Sequence, residues 1–352
     1  MNSRERVAAT LAKQKPDRIP VHESLWSETL DKWRKEGHIG QDVDPADFFD
    51  FDLRGICWYN TSLQLPDQKL EETGEFVIAR DANGVTAKRV KGESGHTPHW
   101  MDWTIKTRDD WFKHKERLVF NRERLPADIA DVNKKLHGRD LFTQFVGVEA
   151  YECAWPVFGQ VRIFELMMDD PDLIADVFTT YTDLIIAGAD WLLKNGVDFD
   201  GAFFCGDMGY RNSTLFSPRI YKDLLWPQHK RMCAYFKSVG KPVMLHSCGR
   251  ILELIPDIIA AGFASLNPLE AKCGQDVREL SKIYGKKIVW DGNIDIRKLS
   301  GTKKDVEEEV LSKLSAAATG GGMIFHSDHS VPQTVPFENY KYAVELARNF
   351  KP

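Results

Sequence analysis

From about residue 140 onward, short apolar runs alternate with longer stretches of helical periodicity. The strand candidates are 141–148, 201–205, 242–246, 263–266, 287–290 and 323–326. Helix start signals lie between them. Asp170-Pro171 opens an amphipathic stretch ending near Gly196, Ser217-Pro218 opens another ending near Gly240, and a third runs from Lys303 to Ala318 with acidic residues early. Two further runs, 18–21 and 53–58, bring the strand count to about eight, which favours a closed barrel over an open sheet. The predicted fold is α/β, a (β/α)8 TIM barrel. The stretch Phe76 to Val90 has a different rhythm, two β-favouring runs around Asp81-Ala82-Asn83-Gly84, and predicts an N-terminal hairpin decorating the barrel. No linker, repeat or low-complexity tract divides the chain, so residues 1–352 are assigned to one domain.

Several strand candidates end in polar or small residues: Cys205-Gly206-Asp207, His246-Ser247-Cys248-Gly249, Asn267-Pro268-Leu269-Glu270, Asp291-Gly292-Asn293 and Ser327-Asp328-His329. A parallel α/β fold places its active site at strand C-termini. Composition narrows the chemistry further. A formal charge of -5 with scattered cations gives no basic patch for nucleic acid. No apolar run reaches the roughly 20 residues a bilayer span requires, and the polar N-terminus is unlike a signal peptide, so a cytoplasmic protein is expected. The six cysteines are dispersed rather than arranged as a disulfide framework, and only Cys248 has a potential metal-binding neighbour two residues away.

At the end of an apolar strand, residues two apart point to the same side, so His246 and Cys248 can chelate one ion. Imidazole and thiolate suit zinc, at about 2.0 to 2.1 Å and about 2.3 Å, with three protein ligands and an open position in a catalytic site. The same pair could equally be a partly buried histidine beside a buried thiol. Gly249 leaves room beside the thiolate. A third ligand is expected from the last strand end, where His326, Asp328 and His329 stand within four residues; Glu270, Cys205 and Cys273 remain alternatives. Glu149 and Asp207 are candidates for a general acid or for orienting a polar substrate, whereas Glu152 reads as a solvated loop charge. Asn293 completes the catalytic candidates. Among ten tryptophans, Trp26, Trp155 and Trp290 lie beside site candidates and, with Tyr151 and Glu270, form the expected substrate-facing set, although core packing is the commoner role of such rings.

These residues resemble the uroporphyrinogen decarboxylase superfamily, which includes the methylcobamide:coenzyme M methyltransferases and related corrinoid-dependent enzymes. The resemblance runs almost end to end. It rests on Arg4-Glu5-Arg6-Val7 through Pro16-Asp17-Arg18-Ile19-Pro20-Val21, Asp170-Pro171, Ser217-Pro218-Arg219-Ile220-Tyr221 leading to Trp226-Pro227, His246-Ser247-Cys248-Gly249, Gly292-Asn293-Ile294-Asp295 and the glycines before the last strand. It implies a (β/α)8 barrel in which zinc is bound by His246 and Cys248 plus a later residue. Alignment on Gly321-Gly322 and Pro332 puts His329 where the family's later cysteine stands, implying a His-Cys-His set one unit less negative and more Lewis acidic.

The stretch matching the decarboxylases' arginine-rich N-terminal motif is Val21-His22-Glu23-Ser24-Leu25-Trp26-Ser27, with no arginine to grip porphyrinogen carboxylates. The implied activity is therefore methyl transfer between a small substrate (a methyl ether, other methylated compound or thiol) and a corrinoid, such as methylcobalamin, on a separate protein docking over the barrel mouth. The chain itself has no Asp-x-His-x-x-Gly corrinoid signature. Self-association into a homodimer is left open. Two alternatives stand beside this reading: a decarboxylase of a smaller acid, needing an arginine such as Arg211 or Arg250 at the mouth, and a zinc-containing barrel that only binds a ligand.

Overall fold

The computed structural model describes residues 1–91, 98–319 and 322–352; Gly321, used to align the last strand, lies outside the described residues. Eleven strands form two sheets among the described residues. The larger contains β1 (Leu53–Trp58), β6 (Phe142–Val148), β7 (Gly201–Cys205), β8 (Val243–Ser247), β9 (Ser265–Pro268), β10 (Val289–Asp291) and β11 (Met323–Ile324). All its pairings are parallel, in the order β1-β6-β7-β8-β9-β10-β11. Parallel strands need crossovers, and helices supply them. The longest, Pro171–Lys194, starts where the Asp170 side chain accepts from Leu173 N–H and Pro171 occupies the first turn. It buries Leu173, Ile174, Val177, Phe178, Tyr181, Leu184 and Ile185 at three-and-four spacing, the stripe a helix lays against a sheet.

The two edges of this sheet are joined through the segment around Val21, giving a barrel-like closure. Phe325 N–H donates to Pro20 O and His22 N–H to Phe325 O on one side, while Asp52 N–H donates to Val21 O on the other. The 18–21 run expected as a strand is thus reduced to a single bridge, Val21 with Phe325, because Pro20 within it has no N–H to give to a ladder. Side chains fasten it instead. The fully buried Asp52 carboxylate accepts from Ser3 Oγ (2.6 Å), Arg6 Nη1 (2.8 Å), Arg18 Nη1 (2.8 Å) and Val21 N–H (2.8 Å). The N-terminal Arg6…Asp17-Arg18 pattern is therefore a structural clasp; the Arg6 guanidinium in turn holds the Asp17 carboxyl well below its usual range.

The stretch after Ser217 is not one continuous helix. Pro218–Ile220 passes into a π-turn, Tyr221–Leu225, before the regular helix Trp226–Ser238. Pro227 has no N–H to donate and crowds the preceding turn, which accounts for the widened ladder. The second sheet is antiparallel, β2 (Gln68–Glu72), β3 (Phe76–Arg80), β4 (Val85–Val90) and β5 (His99–Trp103) in that order. β3 and β4 pair across the Asp81 to Gly84 turn, where the Asp81 carboxylate accepts from Asn83 and Val85 N–H. No described helix is long and apolar enough to cross a membrane.

Candidate metal centre and cavity

The ends of β7, β8 and β9 converge. His246 Nε2 lies 3.3 Å from Cys248 Sγ and 3.6 Å from Asp207 Oδ1, and Asp207 Oδ1 also accepts from Cys248 N–H at 2.8 Å. The donor atoms of Asp207, His246 and Cys248 all lie within 4.8 Å of one another, and so do those of Cys248, Glu270 and His329. Cys248 belongs to both groups. The expected His246, Cys248 and His329 are brought to one place, but as members of two groups hinged at Cys248 rather than as one closed triad. Glu270, one of the alternative donors, joins Cys248 and His329: its Oε1 accepts from Gly249 N–H at 2.9 Å and its Oε2 pairs with Lys272 at 2.9 Å. Burial opposes its ionisation, yet Lys272 and Gly249 N–H outweigh burial and hold the carboxyl below its usual range.

This donor set fits a divalent ion. Burial, then the Asp207 and Glu270 carboxylates, push the Cys248 thiol far up, so among these groups alone it stays protonated. A soft cation between sulfur, imidazole and carboxylate reverses that preference. Cys205 and Cys273 are less apt. Burial raises Cys205 to about 12, and Cys273 contacts Glu270 Oε2 at 3.5 Å without joining either group. All six cysteines are free.

The last strand's candidates separate clearly. Asp328 spends both carboxylate oxygens on backbone N–H groups, Ala271 at 2.9 Å and Ile296 at 3.0 Å. His326 turns away from Cys248: its Nδ1 meets Ser327 O at 2.6 Å and its Nε2 lies 3.1 Å from Glu23 Oε1. Burial lowers His326 to about 3 and raises Glu23 to about 8, so a protonated Glu23 faces a neutral imidazole. Only His329 stands beside Cys248, with Trp26 stacked on it at 6.0 Å.

Gly249 has φ +76, and a Cβ there would meet Gly209 C at 2.4 Å. The expectation that this glycine makes room for the thiolate is corrected: what presses on it is the backbone of the loop after β7, tied on by Arg250 N–H to Tyr210 O at 2.7 Å.

Cys248 and Glu270 open onto a cavity of about 1320 Å³. Facing them are Trp100 and Trp103 from β5, and Trp155 from helix Ala150–Phe158, with Trp100 and Trp155 edge-to-face at 5.8 Å. Trp103 fits because Gly159, at φ +88, has no side chain; a Cβ there would lie 2.9 Å from the indole.

Several expected site residues sit elsewhere. Glu149 is fully buried and caps helix Ala150–Phe158, accepting from Tyr151 and Glu152 N–H and meeting His229 Nε2 at 3.0 Å. Its carboxylate is occupied by structure, which corrects its assignment to a catalytic role. Asn293 is likewise corrected: its amide accepts from Val277 N–H and donates to Leu269 O and Gln275 O, at a backbone φ of 74°. Tyr151 is buried against Phe216, and Trp290 is buried against Tyr284, so neither lines the cavity; nor does Trp26. Asp207 and Trp155 do line it.

The residue the sequence reading missed is Glu152, read as a solvated charge. It lines the cavity, accepts from Asp207 N–H at 3.2 Å, and is raised to about 7 by burial and then by Asp207. The signal was its place in the first turn after β6, where the capping Glu149 and a cavity-facing residue three positions later share one turn.

A family model described as uroporphyrinogen decarboxylase (URO-D) matches residues 156–350, a little more than half the chain. No curated protein sequence matches. Among solved structures, a methyltransferase from Methanosarcina mazei superposes with a TM-score of 0.68 at 14% identity, covering 99% of this chain and 98% of that one. A chitinase from Chromobacterium violaceum follows at TM-score 0.45 and 9% identity, covering 95% and 99%. A B12-independent methionine synthase from Shewanella gives 0.39 at 8%, covering 95% and 94%. The first of these shares the fold over nearly the full length of both chains, and the family match spans the strands that carry Asp207, His246, Cys248, Glu270 and His329. The chain belongs to the uroporphyrinogen decarboxylase family.

Proposed function

We propose that this chain is a closed (β/α)8 enzyme that transfers a methyl group between a small substrate and a corrinoid carried by a separate protein, using zinc held by His246, Cys248 and His329 with the fourth position left to substrate. The observation that carries the reading is the pair of donor groups sharing Cys248 at the wall of a large tryptophan-lined cavity. The methyltransferase fold of the Methanosarcina mazei protein supports it by likeness. Bound zinc supplies Lewis acidity, to activate a thiol acceptor or to polarise the leaving oxygen or sulfur of a methyl donor.

The remaining tasks fall to the chain's own residues. Glu152 holds a proton near neutrality at the cavity surface, where a leaving alkoxide or thiolate needs one. Asp207 fixes the Cys248 backbone through its N–H. The tryptophan wall offers an apolar surface against which a substrate body can be oriented. Decarboxylation of a porphyrinogen fits less well, because the stretch that would grip carboxylates offers Glu23, already held by Ser24 N–H, Ser327 N–H and Ser327 Oγ.

The test is metal analysis followed by turnover. The purified protein is expected to carry close to one zinc per chain, and Cys248→Ala to lose most of it. Zinc-loaded protein mixed with methylcobalamin and a thiol should convert the corrinoid spectrum, and the variant should not. Full zinc occupancy in Cys248→Ala, or a wild-type protein that binds no zinc, overturns the assignment.

A further inference from the structure

We propose that Asn267 is a positioning residue that locks His246 in the tautomer protonated at Nδ1, leaving Nε2 as the nitrogen presented to a metal. The metal itself rests on the reading above; the tautomer does not. His246 and Asn267 are register partners on adjacent strands β8 and β9, so their side chains emerge together at the barrel end. Asn267 Oδ1 lies 2.5 Å from His246 Nδ1.

An amide can present either its oxygen or its nitrogen to an imidazole, and the choice decides which ring nitrogen carries the proton. Here a second contact makes the choice. Asn267 Nδ2 donates to the main-chain oxygen of Asp291 on β10 at 3.0 Å, and a carbonyl oxygen can only accept. The amide nitrogen therefore faces β10 and the oxygen faces His246. Asn267 is 1% exposed, which leaves no solvent to support the flipped amide. His246 Nδ1 must then donate, and its Nε2 lone pair points to the region shared with Cys248 Sγ at 3.3 Å.

His326 shows that the tautomer is necessary and direction is separate. Its Nδ1 also meets a carbonyl, that of Ser327, yet its free Nε2 faces Glu23 and Ser24 rather than sulfur. On His246 the two requirements coincide. Outer partners of this kind fix ring orientation and raise ligand basicity, and their loss typically costs about 10- to 100-fold in metal affinity.

The experiment has two arms. In the first, nitrogen-15 histidine NMR on metal-free full-length protein reads the tautomer directly. A signal for His246 protonated at Nδ1 is expected, and protonation at Nε2 overturns the proposal whether or not the protein binds zinc. In the second, chelator competition compares zinc affinity of wild type, Asn267→Leu and Asn267→Asp. Leucine has similar volume and no acceptor, so about 10- to 100-fold weaker binding is expected. Aspartate still accepts from Nδ1 and should recover most of the loss. Equal zinc affinity in wild type and Asn267→Leu, with unchanged thermal stability, overturns the positioning role. A wild-type protein without zinc defeats the metal assignment while the first arm still decides the tautomer.

Discussion

On one side of the cavity stand Asp207, Cys248 and Glu270, each one or two residues past the end of a parallel strand. On the other stand Trp100 and Trp103 from the antiparallel sheet and Trp155 from the helix after β6. The first wall is held by backbone N–H groups accepted by carboxylates, Cys248 by Asp207 and Gly249 by Glu270, on strands whose positions the parallel sheet fixes. The second is held by ring packing and by a glycine beneath an indole. A rigid, directional wall suits coordination, where donor positions matter to within about half an ångström. A packed aromatic wall suits recognition of a substrate body, which tolerates small displacements.

If that division holds, changes on each wall separate metal affinity from substrate binding. The largest effect is expected from His329→Ala, which should lose zinc affinity by at least about 10- to 100-fold in chelator competition, while His326→Ala loses less. His329 stands with Cys248 and Glu270, whereas His326 Nε2 is engaged by Glu23. Reversal of that order would move the third donor to His326 and break the wall of donor side chains as described.

Smaller changes are expected across the cavity. Trp100→Ala and Trp155→Ala each remove a ring of the cavity lining that an aromatic ligand can contact, and one such contact is worth about 0.5 to 1.5 kcal/mol. Titration with methoxybenzene, followed by the remaining tryptophan fluorescence, should show about 3- to 10-fold weaker binding. Zinc affinity should be unchanged. A variant that lost zinc while binding the probe normally would erase the distinction between the walls.

The two walls also differ in how far the sequence revealed them. Polar residues at strand ends mark the wall of donor side chains, because periodicity locates the strands and parallel topology puts their ends together. His246 with Cys248 is a local pair and needed only strand geometry to be found. Glu149 and Glu152 share one helical turn, which marks both as candidates but not which one caps the helix and which looks into the cavity; the Tyr151 and Glu152 N–H groups converging on Glu149 decide it. Asn293 was singled out for its position beside a strand end, but its amide ties loop backbone together. The aromatic wall is hidden because Trp100 and Trp103 lie on the separate antiparallel sheet, more than fifty residues from Trp155, and burial by a distant element leaves no local period.

The buried pair Glu23 and His326 gives the most specific effect, a pH dependence of stability. Burial raises the Glu23 carboxyl from its ordinary 4.5 to about 8, so the folded protein binds this proton more tightly than the unfolded chain. Tighter binding in the folded state favours folding fully below the unfolded value, and the advantage is lost as pH rises through the folded value. Between about pH 4.5 and 8, Glu23 therefore makes the protein less stable with each rise in pH. One proton sets a ceiling of about 1.4 kcal/mol per pH unit. The three hydrogen bonds Glu23 accepts from Ser24 and Ser327 favour its ionised form and already limit the rise, so stability that falls with pH at no more than this slope is the expectation. Glu23→Gln keeps an acceptor for those donors and has no proton to lose. Urea midpoints measured from pH 5 to 8 should show wild type losing stability relative to Glu23→Gln as pH rises, with zinc affinity alike in the two proteins at pH 7. Parallel stability curves would mean that Glu23 is ionised throughout this range, so that His326 Nε2 carries the proton between them and its imidazole is charged rather than neutral.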